Sequence, residues 1–115
     1  MIIIGDKTVP RPKKTRWVAG HPDIDVYGPL NMQPAGEVSL SVEGLEAFRL
    51  SDAEGLDQDT AAKLMGISRQ TYGRILSEAR ATVAHALNAG KILRVAGGNF
   101  EVRGHHCRRR RCRGN

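Results

Sequence analysis

The sequence predicts a mainly α-helical fold: a helix-turn-helix domain with an irregular basic N-terminal arm and a short C-terminal β-hairpin. Three observations predict it. All five prolines lie within residues 1–37 together with four glycines, and that density blocks helix interiors. Between Ser41 and Asn88, three segments repeat apolar residues at spacings of three and four behind a Ser or Asp able to cap a helix. After Lys91, two short apolar runs flank the turn pair Gly97-Gly98. The organisation expected is an arm over 1–37, the helix-turn-helix domain over 38–102 and a disordered Arg-rich tail over 103–115.

Ser41 is the candidate N-cap of the first helix, with Glu43 in its first turn. The helix should run to about Ser51. Val42, Leu45 and Phe48 lie on one side and Ala47 and Leu50 on another, which predicts burial on two sides. Gly55 breaks it. Asp57 caps the second helix, whose apolar stripe is Ala61, Ala62, Leu64 and Met65, and Gly66 ends it as a residue able to take positive φ. Ser68 caps the third and longest helix. There Tyr72, Ile75, Leu76, Ala79, Val83 and Leu87 recur on one face. The helix should fade near Asn88 and Gly90. Ile92–Val95 and Phe100–Val102 are then the paired strands of the expected hairpin.

The 115 residues suit one domain with a modest, mainly aliphatic core, since aromatics are only 4%. No apolar run approaches the length of a membrane span, no secretory leader is evident, and two cysteines cannot make a disulfide scaffold. The chain is therefore expected in the cytoplasm, with no membrane partner. The net charge of +6 is uneven. Residues 101–115 hold six arginines against Glu101. Val42 to Ile67 carries six acids against two bases, and Ser68 to Val95 five bases against one acid. The second stretch is suited to approach a polyanion and the first is not.

Small Ala62, then Gly66 four residues on, then Ile67, Tyr72 and Ile75 to pin the following helix, is the pattern that two closely crossing helices need. In that register Arg69, Gln70, Gly73, Arg74 and Ser77 point away from the core, where such a unit meets the bases of a major groove. Arg suits guanine and Gln adenine. Ser68, Thr71 and Arg80 are placed to hold phosphates beside the helix N-terminus. The competing reading is an ordinary helical hairpin, for which Ala-x-x-x-Gly alone would suffice; the capping, spacing and charge switch favour the first. Gly73 costs a helix about 1 kcal/mol relative to alanine, and close approach of a backbone or base is slightly favoured as its reason over simple tolerance. Tyr72 shares a face with Leu76 and is read as core in preference to a base-stacking residue.

The stretch Asp57 to Leu87, with Met65-Gly66-Ile67-Ser68-Arg69-Gln70-Thr71, resembles the helix-turn-helix in region 4 of bacterial sigma factors. Residues 10–102 as a whole resemble domain of unknown function family 134, small prokaryotic proteins described as predicted DNA-binding proteins. The resemblance is carried by Pro10-Arg11-Pro12-Lys13-Lys14, Pro34-Ala35-Gly36, Leu45-Glu46-Ala47-Phe48-Arg49-Leu50, Glu54-Gly55-Leu56, Gly66 through Leu76, and Ala96-Gly97-Gly98-Asn99-Phe100. It implies a prokaryotic source and a role like that of a transcription regulator, with the transcription machinery as a further partner. Thr15 stands where relatives often have a cysteine.

Arg11, Lys13, Lys14 and Arg16 make a basic arm fitted to phosphates or a minor groove. In the tail, His105, His106, Cys107 and Cys112 are of zinc-ligand type. Three of them are adjacent and four arginines fill the intervening loop, so no metal site is favoured and no cofactor is expected. A polyarginine tail attracting nucleic acid without specificity is the preferred reading. No nucleophile stands beside a base and no glycine loop is built to cradle phosphate, so an enzyme is not expected. The expected function is sequence-specific binding of double-stranded DNA in transcriptional regulation, with a homodimer as one arrangement. The alternatives are a protein-interaction module resembling a sigma-factor domain, or an RNA binder led by the tail.

Overall fold

The computed structural model describes residues 15–103. Strands β1 (Arg16–Val18), β2 (Val26–Tyr27) and β3 (Glu37–Leu40) come first. Helix α1 (Val42–Phe48), a π-helical turn (Arg49–Ala53), α2 (Gln58–Met65) and α3 (Arg69–Ala89) follow, and the chain closes with β4 (Ile92–Val95) and β5 (Phe100–Val102).

This is a small α/β fold with two sheets, which corrects the expectation of a mainly α domain ending in a hairpin. β4 and β5 do not pair with each other. β4 lies between β3, to which it is parallel with Val95 opposite Leu40, and β2, to which it is antiparallel with Leu93 opposite Tyr27. β5 runs parallel to β1, with Phe100 opposite Arg16. The reason lies in the Gly97-Gly98 link. Both glycines take positive φ, 77° and 105°, but they carry the chain across the N-terminus of α1 instead of folding it back on β4. The Ala96 N–H donates to the Leu40 carbonyl, the Val42 N–H to the Gly97 carbonyl, and the Asn99 N–H to the Glu43 carboxylate at 3.0 Å. The irregular arm is corrected in the same way. Its prolines do exclude helix, but residues from Arg16 to Glu37 supply or begin three strands that fit between them.

The helices begin where their N-caps predict, and α2 and α3 end at their predicted glycines, whereas α1 gives way after Phe48 to the π turn and does not run as an α-helix to about Ser51. Ser41, Asp57 and Ser68 each accept the backbone N–H three residues on, from Gly44 at 3.0 Å, Thr60 at 2.8 Å and Thr71 at 3.1 Å. Gly66 and Gly90 close α2 and α3 in the left-handed region, at φ 69° and 68°. The backbone and side-chain bonds from Thr60 hold the Asp57 carboxyl below the usual range. A depressed acid stabilises the fold above its unfolded-state value and stops doing so as pH falls through its folded-state value. Asp57→Asn keeps a capping side chain but removes the charge. The melting-temperature gap between wild type and this variant should be constant near neutrality and close below the usual carboxylate range. A gap independent of pH would overturn this.

Two apolar cores lie on opposite sides of α1. Ala47 and Leu50 pack with Ala61, Ala62, Met65, Tyr72, Ile75 and Leu76, joining α1 and the π turn to the two helices that follow. Val42, with Leu45 and Phe48 against it, packs with Val18, Leu40, Ala79 and Val95, joining α1 to the strands. The two-sided pattern read from the sequence has this cause. Tyr72 is fully buried. Its hydroxyl donates to the Ala47 carbonyl at 2.8 Å and lies 2.6 Å from Ser51 Oγ. Ala47 and Ser51 are four apart, the spacing of an α-turn, and a side chain inserted there is a recognised cause of ladder disruption. The next bonds are widened, Glu54 N–H reaching the Arg49 carbonyl, and the helix passes into the π turn. Burial pushes the Tyr72 phenol up, against the lowering effect of its bond to Ser51. Tyr72→Phe should cost about 1–2 kcal/mol by removing a buried bond without opening a cavity; chemical denaturation would measure it, and no loss would show the bonds to be worth nothing net.

Candidate nucleic-acid interface

The turn between α2 and α3 is built from both sides. Within the helical unit, Ala62 is buried at the crossing, and the Ile67 N–H donates to its carbonyl at 3.0 Å. Met65, Tyr72 and Ile75 fill the space between the helices. From outside, the Trp17 indole of β1 lies flat against Gly66: a Cβ there would stand 2.9 Å from Cδ2 of the ring. The Arg103 guanidinium covers the same indole at 4.1 Å from the ring centroid, a cation–π contact. The β1–β5 pair thus clamps the turn that aims α3.

On α3, Gln70, Arg74 and Ser77 are exposed and Gly73 is half-buried. At about 100° per residue these four form one stripe along the helix. Arg69 is exposed too, but sits roughly 90° round from the middle of that stripe. Its guanidinium lies 3.8 Å from Asp59 of α2, both side chains being well exposed. Arg69 therefore flanks the stripe. The space beside Gly73 is nearly empty, since a Cβ there would meet only Gln58 Oε1 at 3.4 Å. No packing demand within the described residues explains this glycine, and a partner's backbone or base edge could come close to it. Tyr72 points the other way, into the core, which decides between its two readings.

The residues expected on phosphates are dispersed. Ser68 and Thr71 stand at the α3 N-terminus, their hydroxyls bonded at 3.0 Å. Arg80 grips Asp52 of the π turn through two bonds of 2.9 Å. That fork holds the Asp52 carboxyl below its usual range and raises Arg80. Arg80 so ties α3 to the π turn, and its fork is already engaged. Arg16 is 5% exposed in β1, a strand that packs against α1 and α2, so it is not a member of an exposed arm. Arg11, Lys13 and Lys14 lie outside the described residues, as do His105, His106, Cys107 and Cys112. Among the described residues no group of three or more His, Cys, Asp or Glu is placed to hold a metal, and no helix is long and apolar enough to cross a membrane.

Two of the five bases of the Ser68–Val95 stretch are matched at close range, Arg80 by Asp52 and Arg94 by Glu37 at 2.7 Å. The positive character of α3's N-terminal half comes from Arg69 and Arg74. Sequence reasoning missed Trp17 of β1, which lies against the turn, and Arg103, just past β5, which covers the Trp17 ring. It also missed Glu43 and Glu46: Glu46 accepts the Ala19 N–H at 3.0 Å and two guanidinium bonds from Arg49. Acids placed in a helix that is buried on two sides were the available signal.

A family model described as protein of unknown function DUF134 matches residues 7–103. The chain is 46% identical to a UPF0251 protein of Thermoanaerobacter pseudethanolicus, over 90% of this chain and 93% of that one. It is 45% identical to a UPF0251 protein of Caldanaerobacter subterraneus subsp. tengcongensis, over 87% and 86%. With a UPF0251 protein of Chlorobaculum tepidum it shares 44% identity, over 82% of this chain and 49% of a longer one. No solved structure matches.

Proposed function

The chain belongs to the DUF134 family of proteins of unknown function, which has bacterial members, and we propose that it binds double-stranded DNA sequence-specifically as a transcriptional regulator. One observation carries this reading. The second helix of a tightly turned pair presents Gln70, Gly73, Arg74 and Ser77 as one solvent-facing stripe, with Arg69 beside it. A helix of about 10–12 Å diameter fits a major groove about 12 Å wide. Arg and Gln can each bond two atoms of a purine edge there. Gly73 lets the helix backbone come near the bases, and the Ser68 end of α3 offers free N–H groups and the positive end of the helix dipole to a phosphate. Arg11, Lys13 and Lys14, which precede β1 in the sequence, add phosphate contacts. Each one neutralised should steepen the fall of log affinity against log salt by about 0.9.

Selection from a randomised duplex pool on the full chain, at near-physiological salt and with Arg74→Ala in parallel, tests the proposal. An enriched motif that weakens or vanishes in the variant is the expected result. No enrichment by a chain shown to be folded would sink it and favour the protein-interaction module. Binding without sequence preference that disappears when residues 104–115 are removed would favour the arginine-led RNA or nucleic-acid binder.

A further inference from the structure

Three arginines are held by close carboxylate contacts: Arg49 by Glu46 at 2.9 Å, Arg80 by Asp52 at 2.9 Å and Arg94 by Glu37 at 2.7 Å. Arg103 is fixed differently. Its backbone N–H donates to the Val18 carbonyl at 2.7 Å, which continues the pairing of β5 with β1. Its guanidinium lies 4.1 Å from the centroid of the Trp17 ring. Nε is buried and makes no hydrogen bond among the described residues. Its carboxylate contact, with Glu101, is 3.7 Å long, and the two side chains are 39% and 55% exposed. An exposed pair of that length is worth little. Arg103 is therefore a cation whose position is set by a ring and whose charge is only weakly matched.

That position adjoins the start of α3. The Trp17 ring under Arg103 lies against Gly66. Gly66 precedes the Ser68 cap by two residues, no more than about 7 Å of chain. The same stretch carries the positive end of the α3 dipole, so the ring-held cation and the helix terminus favour an anion in one neighbourhood.

We infer that Arg103 grips a phosphate of the bound duplex beside the start of α3. The inference rests on the DNA-binding reading and adds to it a positioning residue from the far end of the chain. A planar guanidinium bonds phosphate oxygens in pairs. One already stacked on a ring has less freedom to lose than one on an open stem. Phosphate contacts fix register and orientation without reading sequence. Because Arg103, Trp17 and Gly66 are in successive contact, a phosphate held by Arg103 is tied to the turn that aims α3, with no flexible link between them.

Affinity of the full chain for the selected duplex and for an unrelated one, measured over a series of salt concentrations, tests this with Arg103→Gln and Arg103→Lys. Arg103→Gln should trail wild type by roughly five- to tenfold at about 0.1 M salt, equally on both duplexes, with the salt slope shallower by about 0.9. Its selected motif should not change. Arg103→Lys keeps the charge and should keep the slope, with a smaller loss of affinity. An unchanged slope in Arg103→Gln would overturn the inference, and so would a slope lost equally in Arg103→Lys. A loss confined to the selected duplex would also overturn it, since Arg103 would then act only by holding the turn. These outcomes leave the DNA-binding reading standing. A folded wild type that selects no duplex sinks that reading, and the inference with it.

Discussion

Alanine at both Arg69 and Arg74 is expected to weaken binding to a selected duplex by about 2–6 kcal/mol, because each guanidinium gripping a base edge supplies about 1–3 kcal/mol of discrimination. The two should not contribute equally. Arg74 lies on the stripe with Gln70, Gly73 and Ser77, whereas Arg69 flanks it and must give up its approach to Asp59. That exposed contact is worth little, so in the proposed complex Arg69 would be free to reorient towards DNA, starting further from the bases than Arg74. Neither side chain belongs to a core, so thermal stability should change by no more than the few tenths of a kcal/mol usual for surface substitutions. Binding isotherms of the two single variants and the double variant, on the selected duplex and on an unrelated one, separate base reading from phosphate contact. Loss confined to the selected duplex, with an unaltered salt slope, is the expected outcome. Equal loss on both duplexes, with the slope reduced by about 0.9 for each residue, would make these arginines phosphate anchors and leave base reading without its main support.

Gly66→Ala is expected to destabilise the fold by about 2–5 kcal/mol, from two separable causes. At φ 69° an L side chain is strained by about 1–2 kcal/mol. The new methyl also meets the Trp17 ring at 2.9 Å, and overpacking of this kind costs about 1–3 kcal/mol. The ring has little room to withdraw, since Arg103 covers it and its strand pairs with β5. Gly55 is the internal control. It has φ 75° with nothing within 4 Å of a built Cβ, so Gly55→Ala should show the backbone part alone. In a Trp17→Ala background, Gly66→Ala should likewise fall to about 1–2 kcal/mol. Denaturant unfolding of these variants measures each part. Equal costs for Gly55→Ala and Gly66→Ala in the wild-type background would show that Trp17 does not clamp the turn. Because whole domains are stable by only about 5–15 kcal/mol, the full effect should also lower the folded fraction on warming.

The helical half was legible because its signals are local. Ser41, Asp57 and Ser68 each accept an N–H three residues on, and Gly66 and Gly90 each end a helix in the left-handed region. The apolar repeat marked the inner face of α3 from Tyr72 to Val83 and its complement marked the stripe, but it also placed Leu87 inside, and Leu87 is 78% exposed because a three-and-four repeat drifts around a helix of 3.6 residues per turn. Phe48–Arg49 was not legible as a boundary, since the π turn there accompanies a hydroxyl brought in by Tyr72 from α3. The strands were misjudged for a related reason. Parallel partners such as Leu40 and Val95 lie far apart in sequence and leave no turn signature between them, so Gly97-Gly98 drew the nearest neighbours into a hairpin that does not form.

The sequence by itself determined where the helices start, where α2 and α3 stop, which face of α3 is buried as far as Val83, and that Arg69, Gln70, Gly73, Arg74 and Ser77 lie off its core. Each depends on residues within a turn or two of one another. Only the tertiary structure decided how β4 and β5 pair, that Arg16 is buried, that Arg80 is engaged by Asp52, and that Trp17 under Arg103 backs the turn at Gly66. Those outcomes depend on which surfaces meet when distant segments pack, and a run of neighbouring residues does not encode that.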